Sequence, residues 1–131
     1  MCGLFGFSDP SHCLSPEQAR LLIRVLAESS MLRGTDATGI AYNTKHWLHI
    51  FKRDGPASCV PLFPPAGVHA IMGHVRLTTQ GNARLNHNNH PFPGMLDGHR
   101  ETKGPDFALA HNGVLQNDRD LRLRLHLPET K

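Results

Sequence analysis

No stretch of this 131-residue chain is apolar for long enough to cross a bilayer. The N-terminus lacks both the basic patch and the sustained apolar segment of a secretion signal, so a cytoplasmic protein is expected. No run of Lys or Arg exceeds two residues and the net charge is only +3, which argues against a dedicated nucleic-acid surface. Cysteine is scarce: Cys2, Cys13 and Cys59 make an odd count without a Cys-x-x-Cys pair. That speaks against a disulfide framework or a zinc ribbon and for reduced thiols. A glycine-rich phosphate loop ending in Gly-Lys-Ser/Thr is missing, which argues against nucleotide chemistry. There is no internal repeat and no low-complexity tract.

What remains is the composition of one globular domain: 39% hydrophobic and 19% charged residues, at a length that supports a single core. Histidine is abundant, with ten residues, and His87, His90 and His99 fall in one polar stretch. His87 and His90 could begin a metal site. No cysteine or acidic partner lies at ligand spacing, so no metal is expected there.

The order of elements can be read locally. Cys2 to Phe7 is a short buried strand. Ser15-Pro16-Glu17-Gln18 opens a helix with a capping box and a proline in the first turn. Ala19, Leu22, Ile23 and Leu26 give that helix one apolar stripe, and Arg33-Gly34 ends it with a glycine cap. Thr38–Tyr42 and Trp47–Phe51 predict a strand pair around a polar turn. The segment 56–65, with four prolines, predicts a loop with at most one helical turn. Val68–Val75 predicts a strand, and Thr78–Asp106 a long loop of the kind that carries function. Phe107–His111 reads as a strand. Asn117 to Leu127 is expected to be a helix, although Leu121, Leu123, Leu125 and Leu127 also alternate at strand period.

The most informative residue is Cys2. Removal of Met1 would leave a terminal cysteine, which joins a nucleophilic thiol to an α-amine of pKa about 7.7–8.0 that can serve as its base. Four further motifs accompany it: Arg33-Gly34-Thr35-Asp36-Ala37-Thr38-Gly39, Gly73-His74-Val75-Arg76-Leu77-Thr78-Thr79-Gln80-Gly81, Asn88-Asn89-His90-Pro91-Phe92 and Ala110-His111-Asn112-Gly113. Taken alone, each is ordinary. Asn112-Gly113 is a turn dipeptide, and Arg76 is a strand-end arginine.

In this order and spacing the five sites resemble the glutaminase domain of class II glutamine amidotransferases, the N-terminal-nucleophile hydrolases. The resemblance runs from residue 2 to about 120. It implies an α/β fold derived from the αββα sandwich, with mainly antiparallel sheets, here incomplete. It implies hydrolysis of the glutamine side-chain amide, with Cys2 as nucleophile and, through its amine, base. Asn112 and Gly113 would form the oxyanion hole. Arg76 would clamp the substrate α-carboxylate, and Leu77, Thr78, Thr79 and Gln80 would line the pocket. Arg33 and Gly34 would brace the oxyanion loop, Asp36 and Gly39 hold a turn, and His90 shape the loop beside the pocket. No cofactor is implied. The implied partner is L-glutamine, together with an ammonia-accepting synthetase, a completing subunit or a second copy; neither nucleic acid nor membrane is implied. Leu77 is aliphatic where the sugar-phosphate enzymes of the family carry an aromatic residue, closer to the asparagine synthetase pattern.

Two departures stand out. The family's acidic partner for the substrate α-ammonium lies well beyond the Asn-Gly, and here Asp118 and Asp120 come too early to match it. The chain reaches Lys131 eighteen residues after Gly113. A split or truncated gene, a partner that completes the site, or loss of hydrolysis would each account for this. The alternative to an enzyme is therefore a glutaminase-like binding or assembly module.

Overall fold

The computed structural model describes residues 1–96 and 104–126. His99, Leu127 and Lys131 lie outside them. Strand β1 (Gly3–Ser8) leads into helix α1 (Pro16–Ser30), then the hairpin β2 (Ala37–Asn43) and β3 (Leu48–Asp54), then β4 (Ala70–Arg76). The short strands β5 (Phe92–Gly94) and β6 (Phe107–Leu109) follow, and helix α2 (Asp118–Leu125) comes last. One-turn 3-10 helices occupy Met31–Arg33, Ala57–Cys59 and Asn86–Asn88.

The first four strands form an antiparallel sheet in the order β1-β4-β2-β3, and β5 and β6 form a second, two-stranded antiparallel sheet. This is the mixed helical and antiparallel architecture expected from the sequence.

Helix α1 starts as its sequence dictates. The Ser15 hydroxyl accepts from the Gln18 N–H, and the Gln18 side chain accepts from the Ser15 N–H. Its buried stripe is Ala19, Ile23 and Ala27, with Leu22 and Leu26 half-buried at its margins. The expected glycine cap is different. The α-helix stops at Ser30, a 3-10 turn carries the chain to Arg33, and Gly34 is extended, with φ 171°. Gly34 is required by space: a Cβ there would lie 2.4 Å from the Arg76 carbonyl carbon and 2.5 Å from the Leu77 nitrogen.

Side chains alternate across a sheet, so its two faces have separate tasks. Phe5 and Phe7, Ile40 and Tyr42, and Ile71 and Val75 belong to the core with Ile23 and Ala27 of α1, closed by Ala57, Val60, Leu62 and Val68. The residues between them face the other way. In register, Leu4 and Gly39 flank His74, and Ala37 pairs with Arg76. Gly39 also pairs with Lys52. This second face carries the polar groups, and the segment from Ala83 to Phe92 packs onto it. Lys52 Nζ donates to the carbonyls of Asn89 (2.6 Å) and Pro91 (3.1 Å), and a Cβ on Gly39 would meet the His90 carbonyl oxygen at 2.2 Å. That part of the long loop is therefore built against the sheet.

Candidate active site

The pairing of Gly3 with Val75 puts the start of β1 beside the end of β4. Cys2 and Arg76 are the next residues outward, and both line a cavity of about 250 Å³. Leu77, Thr79, Gln80, His90, Gly113 and Asp118 also line it. Residues from positions 2 to 118 thus converge on one concavity.

The Cys2 thiol donates to the Leu77 carbonyl at 3.5 Å, and the Cys2 carbonyl accepts from Arg33 Nε at 2.8 Å. Arg33 therefore steadies the backbone of Cys2, a contact that the resemblance did not imply. Gly34 lies against the Arg76–Leu77 backbone. Cys13 and Cys59 are free and exposed, and neither lines this cavity.

Arg76 is 7% exposed, and its guanidinium is held by two internal acceptors. One terminal nitrogen donates to Asn89 Oδ1 at 2.7 Å and the other to the Gln80 carbonyl. Asn89, 1% exposed, donates in turn to the Ala83 carbonyl at 2.6 Å and to Asn86 Oδ1 at 3.3 Å. Each terminal nitrogen of Arg76 keeps a second N–H beyond these bonds. The fork is fixed in place before any ligand arrives.

Thr78 does not line the cavity with its neighbours. Its N–H donates to Asp36 Oδ2 at 2.7 Å. That bond is the main reason the Asp36 carboxyl is held below its ordinary pKa, and the Arg76 charge adds to it. Asp36 also receives Gly55 N–H on its carbonyl and donates its own N–H to the Arg76 carbonyl, both at 2.9 Å. Asp36 thus ties Thr78, Gly55 and Arg76 together at this turn. Asn112 is exposed and is not among the cavity-lining residues, whereas Gly113 is.

His90 lies between two rings, stacked on His74 with centroids 4.4 Å apart and tilted against Phe92 at 4.2 Å. Its Nδ1 accepts from the His111 N–H at 3.1 Å. Burial pushes both His74 and His90 down to a pKa of about 4, with the Arg76 charge acting in the same direction. Both are neutral at physiological pH.

Sequence reasoning assigned no role to His74, Asn89 or His111, although all three stand inside its motifs. It set Asp118 aside on spacing, yet the first turn of α2 brings this carboxylate to the cavity, 3.8 Å from Arg122. Among the described residues, no group of three or more His, Cys, Asp or Glu side chains could hold a metal ion, and no helix is long and apolar enough to cross a membrane.

A cysteine at the head of an antiparallel strand thus faces a pre-set arginine fork across one cavity. The chain belongs to the class II glutamine amidotransferase domains. It is 32% identical over 124 residues to the glutamine–fructose-6-phosphate aminotransferase [isomerizing] of Chlamydia muridarum, covering 93% of this chain and 18% of that protein. The corresponding enzyme of Halalkalibacterium halodurans is 29% identical over 125 residues, again 93% of this chain and 18% of the relative. The amidophosphoribosyltransferase of Archaeoglobus fulgidus is 31% identical over 130 residues, 95% of this chain and 25% of the relative. The chain thus spans a quarter or less of the length of these relatives. No protein-family model matches it.

Proposed function

We propose that this chain hydrolyses the side-chain amide of L-glutamine and releases ammonia for an acceptor site on a synthetase or transferase partner. The observation that carries this reading is the shared cavity of Cys2, Arg76 and Gly113.

With Met1 removed, the Cys2 α-amine takes the thiol proton and the sulfur attacks the amide carbon. The oxyanion forms against the Gly113 N–H and the Asn112 side-chain amide. Collapse breaks the C–N bond, the amine returns the proton to the departing ammonia, and water then cleaves the thioester to give glutamate. Arg76 grips the α-carboxylate with the N–H groups that Asn89 and Gln80 leave over. Thr79 lines the pocket beside it. Asp118, the one carboxylate among the described residues lining the cavity, takes the α-ammonium.

Mass spectrometry of the purified protein, followed by a glutamine-analogue electrophile, tests the reading. Loss of Met1 and labelling of Cys2 ahead of Cys13 and Cys59 are expected. Equal labelling of all three would sink the nucleophile assignment. The second reading, a glutamine-binding or assembly module, is favoured by one feature: while Met1 is present, the Cys2 nitrogen is an amide and no base. A protein that keeps Met1 and still binds glutamine would support that module.

A further inference from the structure

We propose that His90 is a positioning residue for the oxyanion hole, holding the His111–Gly113 segment at the cavity through the hydrogen bond from the His111 N–H to its Nδ1. The inference rests on the glutaminase reading and adds a specific task for a residue so far credited only with shaping a loop.

The geometry makes His90 a rigid link between the sheet and this segment. Its backbone is clamped from below. Gly39 leaves no more than backbone room under the His90 carbonyl, and Lys52 holds the carbonyls on either side, those of Asn89 and Pro91. Its ring is fixed by the stack on His74, itself 1% exposed, and by Phe92 on the strand that follows. From that anchored ring, Nδ1 reaches the His111 N–H at 3.1 Å.

The segment it holds needs an anchor. Strand β6 ends at Leu109, so residues 110–113 have no ladder of their own. His111 and Gly113 nevertheless line the cavity. The His111 ring also lies close over Gly113, where a Cβ would come within 2.6 Å of it. An N–H donor placed there is useful only if it stays within a fraction of an ångström of the developing oxyanion. Accepting at Nδ1 requires a neutral ring with its proton on Nε2. Burial, and then the charges of His74 and Arg76 on β4 and Lys52 on β3, favour that neutral form, against an opposing backbone hydrogen bond with Leu109.

Two variants and two measurements test the link. His90→Phe keeps a ring in the stack and removes the acceptor. His90→Asn gives up the ring and keeps an acceptor near the Nδ1 position. In H90F, amide hydrogen exchange at His111–Gly113 should rise by about tenfold, the weight of one hydrogen bond. The maximal rate of Cys2 inactivation by the glutamine-analogue electrophile should fall by about tenfold to a hundredfold, with half-saturation changed less than about twofold. H90N should recover part of both. If H90F does not fold, His90→Gln, whose acceptor lies one carbon further out, takes its place with the same expectations. Unchanged exchange at residues 111–113 would overturn the proposal, as would faster exchange without a slower inactivation step. If wild-type Cys2 is labelled no faster than Cys13 or Cys59, the glutaminase reading fails and takes the catalytic part of this inference with it. The exchange measurement then still decides whether His90 holds the segment.

Discussion

Gly34 lies against the backbone of Arg76 so closely that an added methyl group would sit 2.4 Å from the arginine's carbonyl carbon. The end of the α1 connection and the end of β4 are thereby pressed together under the cavity. Arg33, one residue earlier, reaches the Cys2 carbonyl, so the same short stretch contacts the backbone of both Cys2 and Arg76.

Replacing Gly34 with Ala should destabilise the fold by about 1–3 kcal/mol, because the methyl group meets backbone that has nowhere to move. Urea denaturation checks this. A midpoint within error of wild type would mean that the two segments separate easily.

Asn112→Ala should lower the rate of glutamine hydrolysis by about 10²–10³, the usual effect of one lost oxyanion donor, with little change in KM. Asn112 is exposed, so stability should stay within about 0.5 kcal/mol of wild type. Steady-state ammonia release checks the first point. An unaffected rate would leave Gly113 as the donor and Asn112 as part of a turn.

Asp118→Asn should raise KM for glutamine by about ten- to a hundredfold and leave kcat nearly intact, since an ionic hydrogen bond to the α-ammonium contributes about 1.5–3 kcal/mol. A substrate analogue that lacks the α-amino group should lose this sensitivity. The ion pair with Arg122 is long, at 3.8 Å, and partly exposed, so the variant should unfold close to the wild-type midpoint. Equal KM values for variant and wild type would remove Asp118 from the binding site.

Stability should fall as pH is lowered from about 6.5 to about 4. In this window unfolded histidines bind protons, whereas His74 and His90 stay neutral in the fold, with pKa values of about 4. More protons are bound in the unfolded state, so lower pH favours it; below about 4 both states are protonated and this contribution levels off. The stacked rings titrate as a pair. Asp36 acts in a separate window, because its stabilisation is present above its unfolded pKa of 3.8 and is lost as pH drops through its lower folded value. Urea midpoints measured between pH 4 and 7 check the histidine part. His74→Leu should flatten the slope there, and an unchanged slope would mean that other groups set it.

Much of the fold was legible because its signals are local. The capping box of Ser15 and Gln18 lies within four residues and forms as read. The β2–β3 hairpin, the turn at Ala57–Cys59, and strands β4 and β6 fall where apolar runs and turn residues put them. The motif around Asp36 was read as a turn support, and Asp36 makes hydrogen bonds with Thr78 and Gly55 there. The end of α1 was misread because Gly34 looks like a helix cap in sequence, whereas its real constraint is a backbone 42 positions away.

The sequence by itself determined which elements form, which of their faces are apolar, and which residue types could attack, clamp and donate. Those properties depend on neighbours within a turn or a hairpin. The antiparallel register alone decided that Cys2 and Arg76 meet at adjacent strand ends, and that His74 and Arg76 turn away from the core. Only packing decided that Asn89 holds the arginine fork, that Arg33 serves Cys2, and that His90 reaches His111. It likewise decided that Asp118, at the wrong spacing along the chain, arrives at the same cavity. Spacing in sequence measures distance along a backbone. A side chain's partner is set by where strand pairing and burial bring distant segments together, and no local pattern records that.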